Sequence, residues 1–200
     1  MSDYYQNHFQ TYHQKTFTID PSSFLEPLRK HLEPGCTILD IGCGSGRDML
    51  WLKNNSFTVS GFERSAGLAD LARQNTGSDV IKGDFEAFDF TTRPIDAILL
   101  AGSLVHVPHE NLPHIFERVT AGLRPGGKVL ITLKQGQGTG TDELGRFFYY
   151  WQSNDLEALF KKFGFTVLEF NRQVSKVNDK DVWLGFVLEK NIFKRIRRPR

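Results

Sequence analysis

Apolar and polar residues alternate in blocks along the chain, and the blocks read as helices and strands in turn. Asp20-Pro21 sets an N-cap before a proline at the first helical position; Phe24, Leu25, Leu28 and Leu32 then recur at three and four residues, up to a Pro34-Gly35 stop. Ile38, Leu39 and Ile41 predict a buried strand, Gly42, Gly44 and Gly46 follow at alternate positions, and Arg47 to about Asn54 reads as a helix. Phe57–Glu63 predicts a second strand that ends in an acid. Ser65 caps the next helix, whose apolar face is Leu68, Leu71 and Ala72, with Gly77 just beyond its end. Val80-Ile81 is a short third strand that leads into Gly83-Asp84-Phe85. Ile95–Leu100 is a nearly continuous apolar run, the pattern of a central parallel strand buried on both faces.

The second half repeats the alternation. A helix from about Glu110 carries Ile115, Phe116, Val119 and Leu123 on one face, Leu123–Gly127 predicts a tight turn, and Lys128–Leu133 a fifth strand. Gln135–Gly145 is polar and glycine-rich and reads as a loop; the aromatic run Phe147–Trp151 follows it. Ser153 is expected to cap a helix with Leu156, Leu159, Phe160 and Phe163 on its inner face, closed by Gly164. Phe165–Phe170 and Val182–Glu189 are two more strands, and with no helix between them they are expected to pair antiparallel. Alternating strands and helices with a terminal β-pair predict a three-layer α/β sheet. Residues 1–19 hold Tyr4, Tyr5, His8, Phe9, Tyr12, His13 and Phe17 without a clean period, so they read either as a mobile arm with docked aromatics or as a lid.

A chain of 200 residues fits one domain with a real core. It has no apolar run long enough for a bilayer, and the polar N-terminus is unlike a signal peptide. Cys36 and Cys43 flank one strand, which argues against a disulfide between them, and two cysteines alone make no zinc site, so no metal and a reduced, cytoplasmic setting are expected. Six of the 25 Lys and Arg residues fall in Lys190–Arg200, which has no acid; the remainder holds 19 basic against 23 acidic residues, a net −4. The tail Lys194–Arg200 would hold phosphates, hug an anionic membrane, or serve only as a solubilising end.

The chemistry lies at the first strand. Glycines with no Cβ let a ligand lie against the main chain. A dinucleotide fold asks for G-x-G-x-x-G, and the third small residue would fall at position 47, which is Arg. The spacing is G-x-G-x-G instead, with Asp40 two residues before Gly42. That stretch resembles motif I of the class I S-adenosylmethionine (SAM) methyltransferases. Glu63 at the end of the second strand suits ribose hydroxyls, because a carboxylate accepts from both. Asp84-Phe85 after the third strand matches the adenine site of that family, and Leu123–Ile131 is similar to its turn before strand five. The resemblance spans roughly residues 36–133. It implies a Rossmann-like seven-stranded sheet, mostly parallel, and SAM as methyl donor, bound by Asp40, Gly42, Cys43, Gly44, Gly46, Glu63, Arg64, Asp84, Phe85 and Ala101. It leaves residues 1–19 as an N-terminal arm or a lid, which methyltransferases of this type often carry, with the methyltransferase domain at 20–190 and a basic tail at 191–200.

On the acceptor side, Ser103 and His106 follow strand four, and Tyr149, Tyr150 and Trp151 follow the loop after strand five. His106 would serve as a general base, with a reference pKa of about 6.5, or as a structural cap under the loop. The three aromatics would wall a substrate pocket, although at least two of the five rings from Phe147 to Trp151 must be core. Arg47 sits at a helix start within reach of a SAM carboxylate. There is no Asn-Pro-Pro-Tyr after strand four, no Pro-Cys nucleophile, no thiol-rich arsenic site and no large appended domain for a polymer. A small-molecule acceptor methylated at O, N or S is therefore expected. The rivals are an RNA methyltransferase that uses the basic tail, and a non-catalytic SAM-binding interaction protein.

Overall fold

The computed structural model describes residues 4–92 and 94–192. The amino-terminal segment forms α1 (Tyr4–Asn7) and α2 (Phe9–Thr16), followed by α3 (Ser22–Arg29). The alternating part is β1 (Thr37–Ile41), α4 (Arg47–Asn54), β2 (Thr58–Glu63), α5 (Ala66–Thr76), β3 (Val80–Lys82), β4 (Ile95–Ala101), α6 (Leu112–Val119) and β5 (Leu123–Lys134). A hairpin of β6 (Thr139–Thr141) and β7 (Phe147–Tyr149) precedes α7 (Ser153–Lys162), β8 (Phe165–Val174) and β9 (Val182–Lys190). Seven strands form one sheet in the order β3-β2-β1-β4-β5-β9-β8. The first five are parallel, and β9 runs antiparallel to both β5 and β8. This is the expected mostly parallel sheet with an antiparallel terminal pair.

The sheet starts in its middle. The chain goes outward from β1 to β2 and β3, then crosses back to lay β4 on the other side of β1. The carboxyl ends of β1 and β4 therefore frame a switch point, where open α/β sheets bind ligands. The central strand shows why both faces are closed. Along β4, Ile98 and Leu100 join the core under α6 and α7, while Ala97 and Leu99 join the core under α3, α4 and α5. Period-two alternation sends them to opposite layers. Leu112, Ile115, Phe116 and Val119 of α6 are all buried, each large side chain worth about 1.5–3 kcal/mol of burial.

Several local expectations shift. Asp20 does serve the start of α3, but the helix begins at Ser22; the Asp20 carboxylate accepts from the Ser22 N–H at 3.0 Å and from its hydroxyl at 2.6 Å. Ser65 caps α5 as expected, accepting from Leu68 N–H at 3.4 Å, and Gly77 ends it at φ +63°. Ser153 is not a cap. It is the first residue of α7, and the preceding stretch is pinned to β5 by Trp151 N–H donating to Lys134 O at 2.9 Å, while the Gln152 amide donates to Gly136 O at 2.8 Å. The Pro125-Gly126-Gly127 turn lies inside β5, as an excursion between the pairs Ile95–Leu123 and Ala97–Lys128. The loop after β5 carries the small hairpin. No helix among the described residues is long and apolar enough to cross a membrane. The basic run Lys194–Arg200 lies outside the described residues.

Candidate functional site

Each motif glycine has a separate reason to lack a side chain. Gly42, Gly44 and Gly46 adopt φ of +77°, +56° and +87°, the left-handed region that favours glycine. Gly42 N–H and Cys43 N–H both donate to Phe62 O, at 2.7 and 3.2 Å, which stitches the loop to β2. A Cβ on Gly42 would fall 2.5 Å from Ser103 Cβ, so its absence lets the loop after β4 close in. Gly44 faces the ring of Tyr12. A Cβ on Gly46 would meet Thr76 Cγ2 at 2.8 Å and Ala72 Cα at 3.1 Å, so this glycine joins α4 to α5.

These elements enclose a cavity of about 230 Å³ at the switch point. Of the residues singled out in the sequence, Gly42, Gly44, Glu63, Arg64, Phe85, Ala101, Ser103 and His106 line it. Asp40, Cys43, Gly46 and Asp84 do not. Asp84 is half-exposed 3.5 Å from Arg64 and accepts from Glu86 N–H at 3.0 Å. The Cys43 thiol lies against the β2 backbone at Gly61, and burial, then Asp40 and Glu63, push its pKa far above the thiol range, so it stays neutral. Tyr150 and Trp151 border a different cleft, with His109 and Asp155, and Tyr149 borders neither. The aromatic run thus does not wall the main cavity: backbone bonds from Tyr149 to Val105 O and from Trp151 to Lys134 O turn it along β5. Arg47 is occupied by Asp48 at 2.7 Å.

Glu63 is the hub of the cavity floor. It is only 7% exposed; Oε2 accepts from Gly44 N–H at 2.9 Å and Oε1 from Ser65 N–H at 2.8 Å. Burial raises its pKa against the pull of those N–H groups. Asp40 lies deeper, with no partner for Oδ2; burial, then Asp48, hold its carboxyl well above the usual range, with Arg47 opposing. The hydroxyl of Ser103 is likewise buried without a partner.

The cavity's roof comes from the amino-terminal aromatic segment, which the sequence leaves open between an arm and a lid. Tyr5, Gln6 and Tyr12 of α1 and α2 line it from above. The segment is tied down by Ser65 Oγ donating to Tyr5 O at 3.0 Å, Ala66 N–H donating to Gln6 Oε1 at 3.1 Å, and the ring of Phe9 lying on Gly67. Tyr5 also reaches His106. The His106 Nδ1 lies 2.5 Å from Phe147 O, which only accepts, so Nδ1 carries the proton; Nε2 then accepts from the Tyr5 hydroxyl at 3.0 Å. Burial lowers the His106 pKa, and Arg146 and Lys134 add to this against the Phe147 carbonyl. The imidazole is therefore neutral near pH 7 and free to take a proton.

The site fits an adenosyl ligand. A buried carboxylate with lone pairs to spare suits a ribose diol, a loop without Cβ atoms admits close main-chain approach, Phe85 supplies an apolar flank, and the unpartnered Ser103 hydroxyl on the lining has a hydrogen bond to give. The fold matches that of Burkholderia thailandensis 1,6-didemethyltoxoflavin-N1-methyltransferase, solved with 1,6-didemethyltoxoflavin and S-adenosylhomocysteine, at a TM-score of 0.75 and 21% identity, covering 94% of this chain and 84% of that one. Sheet order and glycine loop thus define a Rossmann-like methyltransferase fold. Residues 38–127 match the family model of the methyltransferase domain, and together with the matched relatives this supports a class I SAM-dependent methyltransferase. Carboxy-S-adenosyl-L-methionine synthase of Chromohalobacter salexigens is 30% identical over 116 residues, 52% of this chain and 42% of that protein. Phosphoethanolamine N-methyltransferase 3 of Arabidopsis thaliana is 32% identical over 107 residues, 50% of this chain and 21% of that protein. The chain spans less than half the length of these two relatives.

Proposed function

We propose that this chain is an enzyme that transfers a methyl group from SAM to a small-molecule acceptor. The observation that carries the reading is that the Glu63 carboxylate, the Gly42–Gly44 loop and the His106 imidazole border one cavity roofed by α1 and α2. SAM bound there supplies a methyl group activated by its sulfonium. Glu63 accepts the ribose hydroxyls and Phe85 flanks the base. Holding a nucleophile in line within ~3–3.5 Å of the methyl carbon is worth about 7–11 kcal/mol of barrier. Where the acceptor is protonated, its proton passes to the Tyr5 Oη as the Tyr5 hydroxyl gives its own to His106 Nε2, a base contribution of about 10²–10⁴-fold. The enclosed volume and the small acceptors in the printed names of two matched proteins support a small molecule over a polymer.

Calorimetric titration with SAM, S-adenosylhomocysteine and NAD in parallel tests the cofactor. Binding of both adenosyl ligands and not NAD is expected; a folded protein that binds neither adenosyl ligand refutes the reading. Screening of small amines, hydroxyls and thiols then follows, with His106→Gln expected to lower turnover about 10²–10⁴-fold for an acceptor that must lose a proton.

A further inference from the structure

One ion pair beside His106 is used by neither the cofactor assignment nor the base. Arg146 lies in the turn between β6 and β7, held by Asp142: Arg146 Nε donates to Oδ2 at 2.8 Å, and Nη2 lies 2.7 Å from the same oxygen. Asp142 Oδ1 accepts from the backbone N–H of Arg146 at 2.9 Å and of Leu144 at 3.0 Å. Only 20% of the Arg146 side chain and 25% of the Asp142 side chain are exposed, so this is no solvated surface pair. A guanidinium has five N–H donors, and Asp142 leaves most of them free. The free side turns to the arm. The Arg146 Cζ lies 5.2 Å from the centre of the Tyr4 ring and 5.4 Å from that of Phe148, and its charge is felt at the neighbouring Tyr5 hydroxyl.

We propose that Arg146 is the positioning residue of this site: anchored by Asp142, it seats the Tyr5 hydroxyl on His106 and so closes α1 and α2 over the cavity. The proposal rests on the cofactor and base roles given above. The contacts follow one line: Asp142 accepts from Arg146, Arg146 stacks on the Tyr4 ring next to Tyr5, Tyr5 donates to His106 Nε2, and His106 Nδ1 donates to Phe147 O, so each group constrains the next. Polar ties matter here because α1 and α2 have no fully buried residue. The charged and titratable groups facing His106 are Tyr5, Arg146, Asp142 and Lys134; Lys134 is itself paired with Asp181 at 2.8 Å and stacked on Phe148. Arg146 and Lys134 both disfavour imidazolium. Loss of Arg146 therefore removes one of two cations and frees Tyr5 from its place.

The test uses the full chain with Arg146→Gln, Arg146→Lys and the milder Asp142→Asn. Three quantities are read: amide exchange over residues 4–16, the His106 titration by NMR, and the dissociation rate of S-adenosylhomocysteine. Arg146→Gln should exchange faster over the arm, titrate at higher pH at His106, and release the ligand about tenfold faster, the scale of one charge-assisted hydrogen bond. Lysine keeps the charge and lacks the planar fork, so Arg146→Lys should bring the His106 titration back toward wild type while ligand release stays fast. Asp142→Asn should loosen the arm in the same direction. Arm exchange in Arg146→Gln that matches wild type, with His106 titrating as before, overturns the proposal. If wild type binds no S-adenosylhomocysteine, the cofactor assignment falls, and exchange and titration in the free protein still decide the role of Arg146.

Discussion

Glu63→Gln probes the floor of the cavity with the smallest change of shape. In the native chain one carboxylate oxygen accepts from Gly44 N–H at 2.9 Å and the other from Ser65 N–H at 2.8 Å. An amide has one oxygen and one NH₂. Whichever way it flips, one backbone N–H meets an N–H instead of an acceptor, in a residue only 7% exposed. Leaving a buried donor unmet costs about 1–3 kcal/mol. The variant should therefore stay folded and lose about that much stability, with a melting shift of about 2–4 °C for each kcal/mol in a domain of this size. Ligand affinity should fall further than fold stability suggests, because the ribose hydroxyls lose a charged acceptor. A hydrogen bond to a charged group is worth about 1.5–3 kcal/mol, or about 10–150-fold in Kd. Calorimetry with S-adenosylhomocysteine and urea denaturation of the same preparation give both numbers. Wild-type affinity in a folded Glu63→Gln chain would sink the ribose assignment; wild-type stability would sink the claim that Glu63 also holds the loop.

Gly42→Ala places a Cβ 2.5 Å from Ser103 Cβ at φ +77°, whereas Gly77→Ala at φ +63° meets nothing within 4 Å. Urea unfolding should show about 1–2 kcal/mol of backbone strain for Gly77→Ala and a further 1–3 kcal/mol, roughly, for Gly42→Ala, with ligand binding lost only in the latter. Asp40 has a raised folded pKa, so the native state binds its proton more tightly than the unfolded chain does. Wild-type stability therefore falls as pH rises from the unfolded value of 3.8 through the raised folded one, and uncharged Asp40→Asn escapes that loss. Urea midpoints in a pH series should show Asp40→Asn gaining on wild type across that window and not below it; a difference that ignores pH contradicts the buried-acid account. Asp96, at the amino end of the central strand β4 and away from the cavity, accepts from Thr37 N–H at 2.9 Å and from its hydroxyl at 2.7 Å and pairs with Arg124. Asp96→Ala should cost about 1–3 kcal/mol of stability and leave S-adenosylhomocysteine affinity unchanged, which calorimetry checks.

The parts of the site that could be read in the sequence are those where backbone geometry and side chain coincide. A glycine loop after an apolar strand and an acid at the end of the next strand lie within a few residues of the elements that place them, and Gly42, Gly44 and Glu63 border the cavity together. Gly46 belongs to the same motif, yet its reason is the packing of α4 on α5, which only the crossing of two helices reveals. The amino-terminal segment reads equally as an arm or a lid, because α1 and α2 are short, have no buried stripe, and touch His106 across 101 residues of sequence. Arg146 sat unnoticed in a loop of polar residues, since nothing local separates a solvated arginine from one folded under a hairpin. The aromatic run was visible but misdirected: Phe148 is core, and Tyr150 and Trp151 turn to another cleft. Composition shows that rings will be buried; it does not show on which side of a strand.

Gly67 carries a consequence for how this chain can change. A Cβ there would stand 2.5 Å from the Phe9 ring, so a single methyl group becomes a wedge between α5 and the arm. Positions 9 and 67 are therefore locked to each other and not to the ligand. Gly67→Ala alone should prise the arm loose, and a smaller residue at position 9 should restore it, each change harmful alone and tolerable together. The arm and the domain it covers cannot drift separately: they share a hinge pin the size of one missing carbon.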